Sequence, residues 1–159
     1  MDRTINRVYF RTAAQSGRLA KDGPTLIRER VNKMLPLCTI TRNTKAERLG
    51  LGPCRVSSSY VPHNEEGRPK VSFSETQPDG TSRKPMVFLY HATWVNAFGY
   101  VEVMENGQAP SYSHRCHEKK CCEAKHGVWE SGGDNARRNS CRAEGAGPCP
   151  HEPECLIGE

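Results

Sequence analysis

Two dense clusters of cysteine and histidine constrain this chain more than any other feature. The first is Cys116-x4-Cys121-x4-His126 and the second is Cys141-x7-Cys149-x-His151-x3-Cys155. Zinc takes about four thiolate or imidazole ligands in a tetrahedron. The second cluster supplies four within fifteen residues and can close a Cys3His site alone. The first supplies three and needs a fourth from elsewhere. Cys38 and Cys54 are the upstream candidates, and Cys122 competes with Cys121. Eight cysteines would also permit a disulfide framework. Histidine at ligand spacing in both clusters has no place in such a framework. No signal peptide is read at the start, so a reducing, intracellular compartment is expected.

Zinc matters for a chain of this make-up. Its 159 residues fit one domain, but only 35% are hydrophobic. Mean hydropathy is -0.74. The core is therefore expected to be thin, and a closed zinc site adds its binding free energy directly to folding. Charge is uneven. Residues 1–50 hold eleven Lys/Arg against four Asp/Glu, or +7, and residues 51–159 hold twelve against fourteen, or -2. The basic front half suits a polyanion such as DNA or an acidic surface. No apolar run approaches the ~20 residues of a membrane span, so a soluble protein with no membrane partner is expected.

Residues 1–20 read as a polar, basic, loose terminus. Asp22-Gly-Pro24-Thr25 then opens a helix with Pro24 in its first turn and Asp22 or Thr25 as cap. Leu26, Ile27, Val31, Met34 and Leu35 line one buried face, with Arg28, Arg30 and Lys33 outward. Residues 37–41 predict a strand and 42–53 a polar connection. Strands follow from Cys54 to Val61 and from Lys70 to Thr76, with a turn at 77–80. Arg55, Ser57 and Ser59 share one face; Lys70, Ser72, Ser74 and Thr76 share another. As a twisted ribbon, such a polar face can enter a DNA groove, but periodicity alone favours an ordinary sheet with a solvated face. Pro85 to Phe98 reads as one buried helix stopped by Gly99, with His91 a core histidine. Residues 100–104 and 109–116 predict a hairpin around Asn106-Gly107, carrying His114 to its end. Residues 128–140 predict a helix that carries Asn135.

The run Ser113-His114-x-Cys116-His117-x3-Cys121-x4-His126-x2-Trp129-Glu130-Ser131-x2-Asp134-Asn135-x2-Arg138-Asn139-x-Cys141 resembles the His-Cys box of homing endonucleases encoded by group I introns in nuclear ribosomal DNA. The resemblance covers roughly the last 50 residues. It implies an α+β fold with a ββα-metal (His-Me finger) core, an antiparallel DNA-binding sheet and two structural zinc ions. It implies that the missing ligand of the first zinc comes from an upstream strand, which favours Cys54 over Cys38. The family's ligand spacing favours Cys121 over Cys122. The first site is then Cys54, Cys116, Cys121 and His126, and the second Cys141, Cys149, His151 and Cys155.

The resemblance also implies a Mg2+-dependent DNA endonuclease. His114 would be the general base, since neutral imidazole takes a proton near physiological pH. Asn135 would hold one Mg2+ through its amide oxygen. An arginine before the apolar helix would clamp the scissile phosphate; Arg83 sits there, and Arg68 is the alternative. Arg137 and Arg138 would position phosphates. Arg55, Ser57, Ser59, Arg68, Lys70, Ser72 and Ser74 would line the DNA-binding ribbon.

Hydrolysis by one metal would leave 5′-phosphate and 3′-hydroxyl ends. A homodimer would cut both strands of a long, near-palindromic ribosomal DNA site in the nucleus. The expected organisation is one endonuclease domain over 1–159, with a basic region at 1–50, the ribbon at 54–80, the catalytic core at 100–141 and the second zinc site at 141–155. A non-catalytic zinc-stabilised DNA-binding module is the competing reading.

Overall fold

The computed structural model describes residues 18–73, 75–76, 79–84, 86–99, 101, 108, 110–144 and 148–157. It is a mixed α+β fold built from small antiparallel sheets. Helix α1 (Arg18–Met34) runs through Pro24 rather than starting at it, so Asp22 and Thr25 lie within the helix and not at its start. Ile27 and Val31, one turn apart, are buried, with Leu26 and Met34 packed beside them and Arg28 and Lys33 exposed. A 3-10 turn at Leu35–Leu37 leads into β1 (Thr39–Thr41).

β1 pairs antiparallel with β2 (Cys54–Val56), with Thr41 opposite Cys54. The connection between them holds a short helix, α2 (Thr44–Arg48), which the sequence did not announce: five residues are too few for a periodic signal. Asn43 caps it by accepting from the Ala46 N–H at 2.9 Å. The other edge of β2 bonds to the segment around the first cysteine cluster. The Arg55 carbonyl accepts from the Cys122 N–H at 2.7 Å, and the Ser57 N–H donates to the Lys120 carbonyl at 3.0 Å.

The expected ribbon over 54–80 does not form as such. β3 (Lys70–Ser72) pairs with β6 (Met86–Phe88), and β4 (Glu75–Thr76) with β5 (Ser82–Arg83). The hairpin therefore spans 70–88. Between β2 and β3 the chain turns at Gly67 (φ 74), flanked by prolines 62 and 69, and Asn64 caps that turn by accepting from the Arg68 N–H at 2.9 Å. That turn carries β3 away from β2. The predicted helix from Pro85 is likewise corrected. Met86–Phe88 is strand, and helix α3 spans Leu89–Phe98. Val87, Phe88, Leu89 and Tyr90 are buried in succession, and an unbroken apolar run does not distinguish strand from helix.

β7 (Ser111–His114) pairs with β8 (Gly127–Glu130); residues 100, 102–107 and 109, on which the expected hairpin falls, lie outside the described residues. The first cysteine cluster is thus the loop between two paired strands. Gly127 is required where β8 passes Tyr112, since a Cβ there would lie 1.8 Å from the tyrosine hydroxyl oxygen. Helix α4 (Gly132–Glu144) starts four residues later than expected. The cause is an N-cap at Ser131: its Oγ accepts from the Asp134 N–H at 3.0 Å and donates to the Asp134 carboxylate at 2.6 Å. β7, β8 and α4 together make the ββα unit. One core joins α1, α3 and the hairpin around Ile27, Val71, Phe73 and Val87; a smaller one gathers Ala46, Cys54, Cys116, Cys121 and Leu156.

Candidate active site and metal centres

The fold gathers the cysteines and histidines into two groups of four. Cys54, Cys116, Cys121 and His126 form one, all buried; Cys141, Cys149, His151 and Cys155 form the other. Within each, one ligand atom per residue lies within 4.8 Å of the rest. Zinc–sulfur bonds of about 2.3 Å in a tetrahedron place ligand atoms roughly 3.5–3.8 Å apart. His126 Nδ1 stands 3.5 Å from Cys54 Sγ and 3.6 Å from Cys121 Sγ. Its Nε2 donates to the Gly52 carbonyl at 3.0 Å, which turns Nδ1 toward the sulfurs. In the second group Cys141 and Cys149 sulfurs are 3.8 Å apart, and His151 Nδ1 is 3.4 Å from Cys149 Sγ.

The thiol chemistry asks for a cation. Contacts from Cys116 and Cys121 hold the Cys54 thiol far below its usual range. Cys116, although it shares a hydrogen bond with Cys121, is pushed up to about 12 by Cys54 and burial. Against burial, the backbone N–H groups of Cys155 and His151 draw Cys149 down to about 6, while burial and Cys149 push Cys155 up to about 12. One thiolate in each group suppresses ionisation of the next, and a central divalent ion would relieve that conflict. The two groups fit two structural zinc ions. Cys38 stays outside both and packs with Cys122 against the main core, so adjacent Cys121 and Cys122 face a metal cage and a hydrophobic core respectively.

Between β7, α3 and α4 lies a cavity of about 440 Å³ whose walls include Arg68, Tyr90, His114, His117, Asn135 and Asn139. His114 and Asn135, distant in sequence, thus face one space. The His114 ring sits edge-on to Tyr90 at 4.5 Å and to Tyr112 at 5.1 Å. Its imidazole donates to the Cys121 carbonyl, inside the first metal loop. Its Nε2 is buried with no hydrogen-bond partner among the described residues. Burial, then the Arg68 guanidinium, hold its pKa down to about 3, so the ring is neutral at physiological pH. Asn135 begins the second turn of α4, its Oδ1 2.7 Å from Ser113 Oγ. The Asn135 carboxamide lies on the cavity wall with the Arg68 guanidinium, and no carboxylate stands among the described residues of that wall.

The other predicted residues fall in several places. Arg68 Nη1 donates to the Tyr90 hydroxyl at 3.3 Å and its Nε to Glu66 at 3.0 Å, which holds the guanidinium at the cavity. Arg83 lies in β5, but its side chain falls outside the described residues, as does Ser74. Arg55 pairs with Glu123 at 3.3 Å. Ser57 is bonded to the metal loop through the Lys120 carbonyl and Ser59 lies in the turn that follows β2, whereas Lys70 and Ser72 lie on β3 in the separate hairpin. Arg137 is exposed and pairs with Asp134. Arg138 is corrected: it is 1% exposed and cannot meet a phosphate. Its Nε and Nη2 donate to the two Glu130 carboxylate oxygens, each at 2.9 Å, and its Nη1 to the Pro153 carbonyl at 2.8 Å. Sequence reasoning missed Tyr90, Lys119, His117 and Asn139 as cavity walls. His117 and Asn139 stood in the quoted run; His117 now shows a left-handed backbone, φ 59, rare away from glycine.

A family model described as the zinc-binding loop region of homing endonuclease matches residues 53–158, well over half the chain. The chain belongs to the His-Cys box homing endonuclease family. No curated protein matches it. The family is one of DNA-binding nucleases. Among the described residues, no helix is long and apolar enough to cross a membrane.

Proposed function

We propose that the chain is a site-specific double-strand DNA endonuclease that hydrolyses phosphodiesters at the His114–Asn135 cavity, leaving 5′-phosphate and 3′-hydroxyl ends. The observation that carries this is the unpartnered His114 Nε2, buried in a cavity it shares with a carboxamide and an arginine. A neutral imidazole whose other nitrogen is tied to the Cys121 carbonyl has one role open: Nε2 accepts a proton from water attacking phosphorus. The tie fixes both tautomer and ring orientation. Arg68 fits the phosphate clamp, because its guanidinium lines the cavity and is steadied by Tyr90 and Glu66. Its charge would meet the non-bridging oxygens as they gain negative charge. Asn135 would hold Mg2+, which when bound supplies Lewis-acid neutralisation of the phosphate and the departing 3′ oxygen.

A single site cuts one strand, so the reading includes a homodimer on a near-palindromic target, in ribosomal DNA of the nucleus. The 70–88 hairpin, with Lys70 and Ser72 on one face, is the groove-reading element this fold offers. Supercoiled plasmid carrying an intron-less ribosomal DNA site tests the proposal. Zinc-loaded protein with Mg2+ should linearise it, and His114→Ala should bind the site without cutting. Binding without cleavage by the unmodified protein would leave a zinc-stabilised DNA-binding module instead.

A further inference from the structure

Arg138 offers five N–H donors and no acceptor. Buried between the second cysteine group and β8, it spends them on Glu130, the Pro153 carbonyl and Cys155 Sγ, the last at 3.5 Å. Glu130 is thereby held as a carboxylate, an acceptor only. Its next neighbour is Ser113. Ser111 stands opposite Glu130 and Ser113 opposite Val128, so Ser113 is the diagonal neighbour of Glu130 on one face of the β7–β8 pair. The Ser113 hydroxyl also hydrogen-bonds the Glu130 carboxylate.

Ser113 has one proton and two claimants, the Glu130 carboxylate and the Asn135 carboxamide 2.7 Å away. A charged acceptor forms a hydrogen bond about twice as strong as a neutral one. The proton therefore goes to Glu130, and Ser113 Oγ must accept from Asn135. Only the amide NH2 can donate to it, and the two ends of a carboxamide occupy interchangeable positions. On the reading that Asn135 holds the divalent ion, we infer that Ser113 and Glu130 are positioning residues. Anchored by Arg138 to the second zinc cage, they turn the Asn135 amide nitrogen toward Ser113 and its oxygen into the cavity. The direction of every hydrogen bond in the chain is set by the arginine at its far end. The second zinc site then does more than stabilise: it orients a ligand of the other metal.

Mn2+ binding to the zinc-loaded, DNA-free protein tests this, read from the electron paramagnetic resonance signal of free Mn2+. Ser113→Ala removes the acceptor that pins the amide. Glu130→Gln reverses the relay, because the substituted amide must give its oxygen to Arg138 and present its NH2 to Ser113. Outer-shell partners of a metal ligand are typically worth about 10–100-fold in affinity. Each variant should therefore bind Mn2+ at least about ten-fold more weakly, with both zinc ions retained. Asn135→Ala is the reference. If it leaves Mn2+ affinity unchanged, the metal-site reading itself is wrong. If it abolishes binding while Ser113→Ala or Glu130→Gln stays within about two-fold of the unmodified protein, the relay is wrong and the metal site stands.

Discussion

Arg138→Met separates the structural role of this arginine from the phosphate contact its sequence position suggested. The side chain is 1% exposed, and its ion-pair partner Glu130 has a side chain only 11% exposed. Methionine matches the stem of arginine but not its fork. Three charge-assisted hydrogen bonds at 2.8–2.9 Å disappear, and a carboxylate and the Pro153 carbonyl lose their partner. Removing one member of a buried ion pair costs about 3–5 kcal/mol, because the other charge stays buried and unpaired. Domains of this kind have roughly 5–15 kcal/mol in all. With a urea slope of about 1–3 kcal/mol per molar, the unfolding midpoint of the zinc-loaded protein should fall by at least about 1 M. Arg138→Lys should recover little, since an ammonium cannot reproduce the bidentate fork.

A phosphate-contacting arginine behaves oppositely. Its loss leaves stability within about 0.5 kcal/mol and lowers the salt dependence of DNA binding by about 0.9 per lost contact. Arg137→Ala, exposed on the same helix, is the internal control for that pattern. If Arg138→Met unfolded at the same urea concentration as the parent while its salt slope dropped, the buried-pair assignment would be refuted.

Cys54→Ser should lower bound zinc from two per chain to one by inductively coupled plasma mass spectrometry, whereas Cys38→Ser should leave two, since only Cys54 enters the first cage. Arg68→Ala should reduce cleavage rate by about 10²-fold or more with DNA affinity little changed, and Arg83→Ala should show the smaller loss; the reverse ranking returns the clamp to Arg83. Ser131→Ala removes the cap of α4 and should cost about 1 kcal/mol in thermal or urea unfolding. Gly127→Ala should destabilise more than that cap variant, because its methyl meets the Tyr112 ring.

The metal ligands were legible in the sequence because zinc imposes ligand type and number on any fold that holds it. Cys116-x4-Cys121-x4-His126 says what is coordinated before the backbone is known. What lies between ligands was harder to read. Gly127–Glu130 is only four residues long, too short for a periodic signal, and the pairing with Ser111–His114, across a twelve-residue metal loop, makes it β. The same holds for Met86–Phe88, whose strand state depends on Lys70–Ser72 sixteen residues upstream. Arg138 shows the limit most sharply. Arg137 and Arg138 are indistinguishable as letters on a basic helix, yet a rotation of about 100° per residue sends one to solvent and the other into the protein. Burial then converts an apparent DNA contact into the anchor of a hydrogen-bond chain that ends at Asn135. The run that marks the family mixes ligands with their supports, and only the packing of β8 against α4 says which are which.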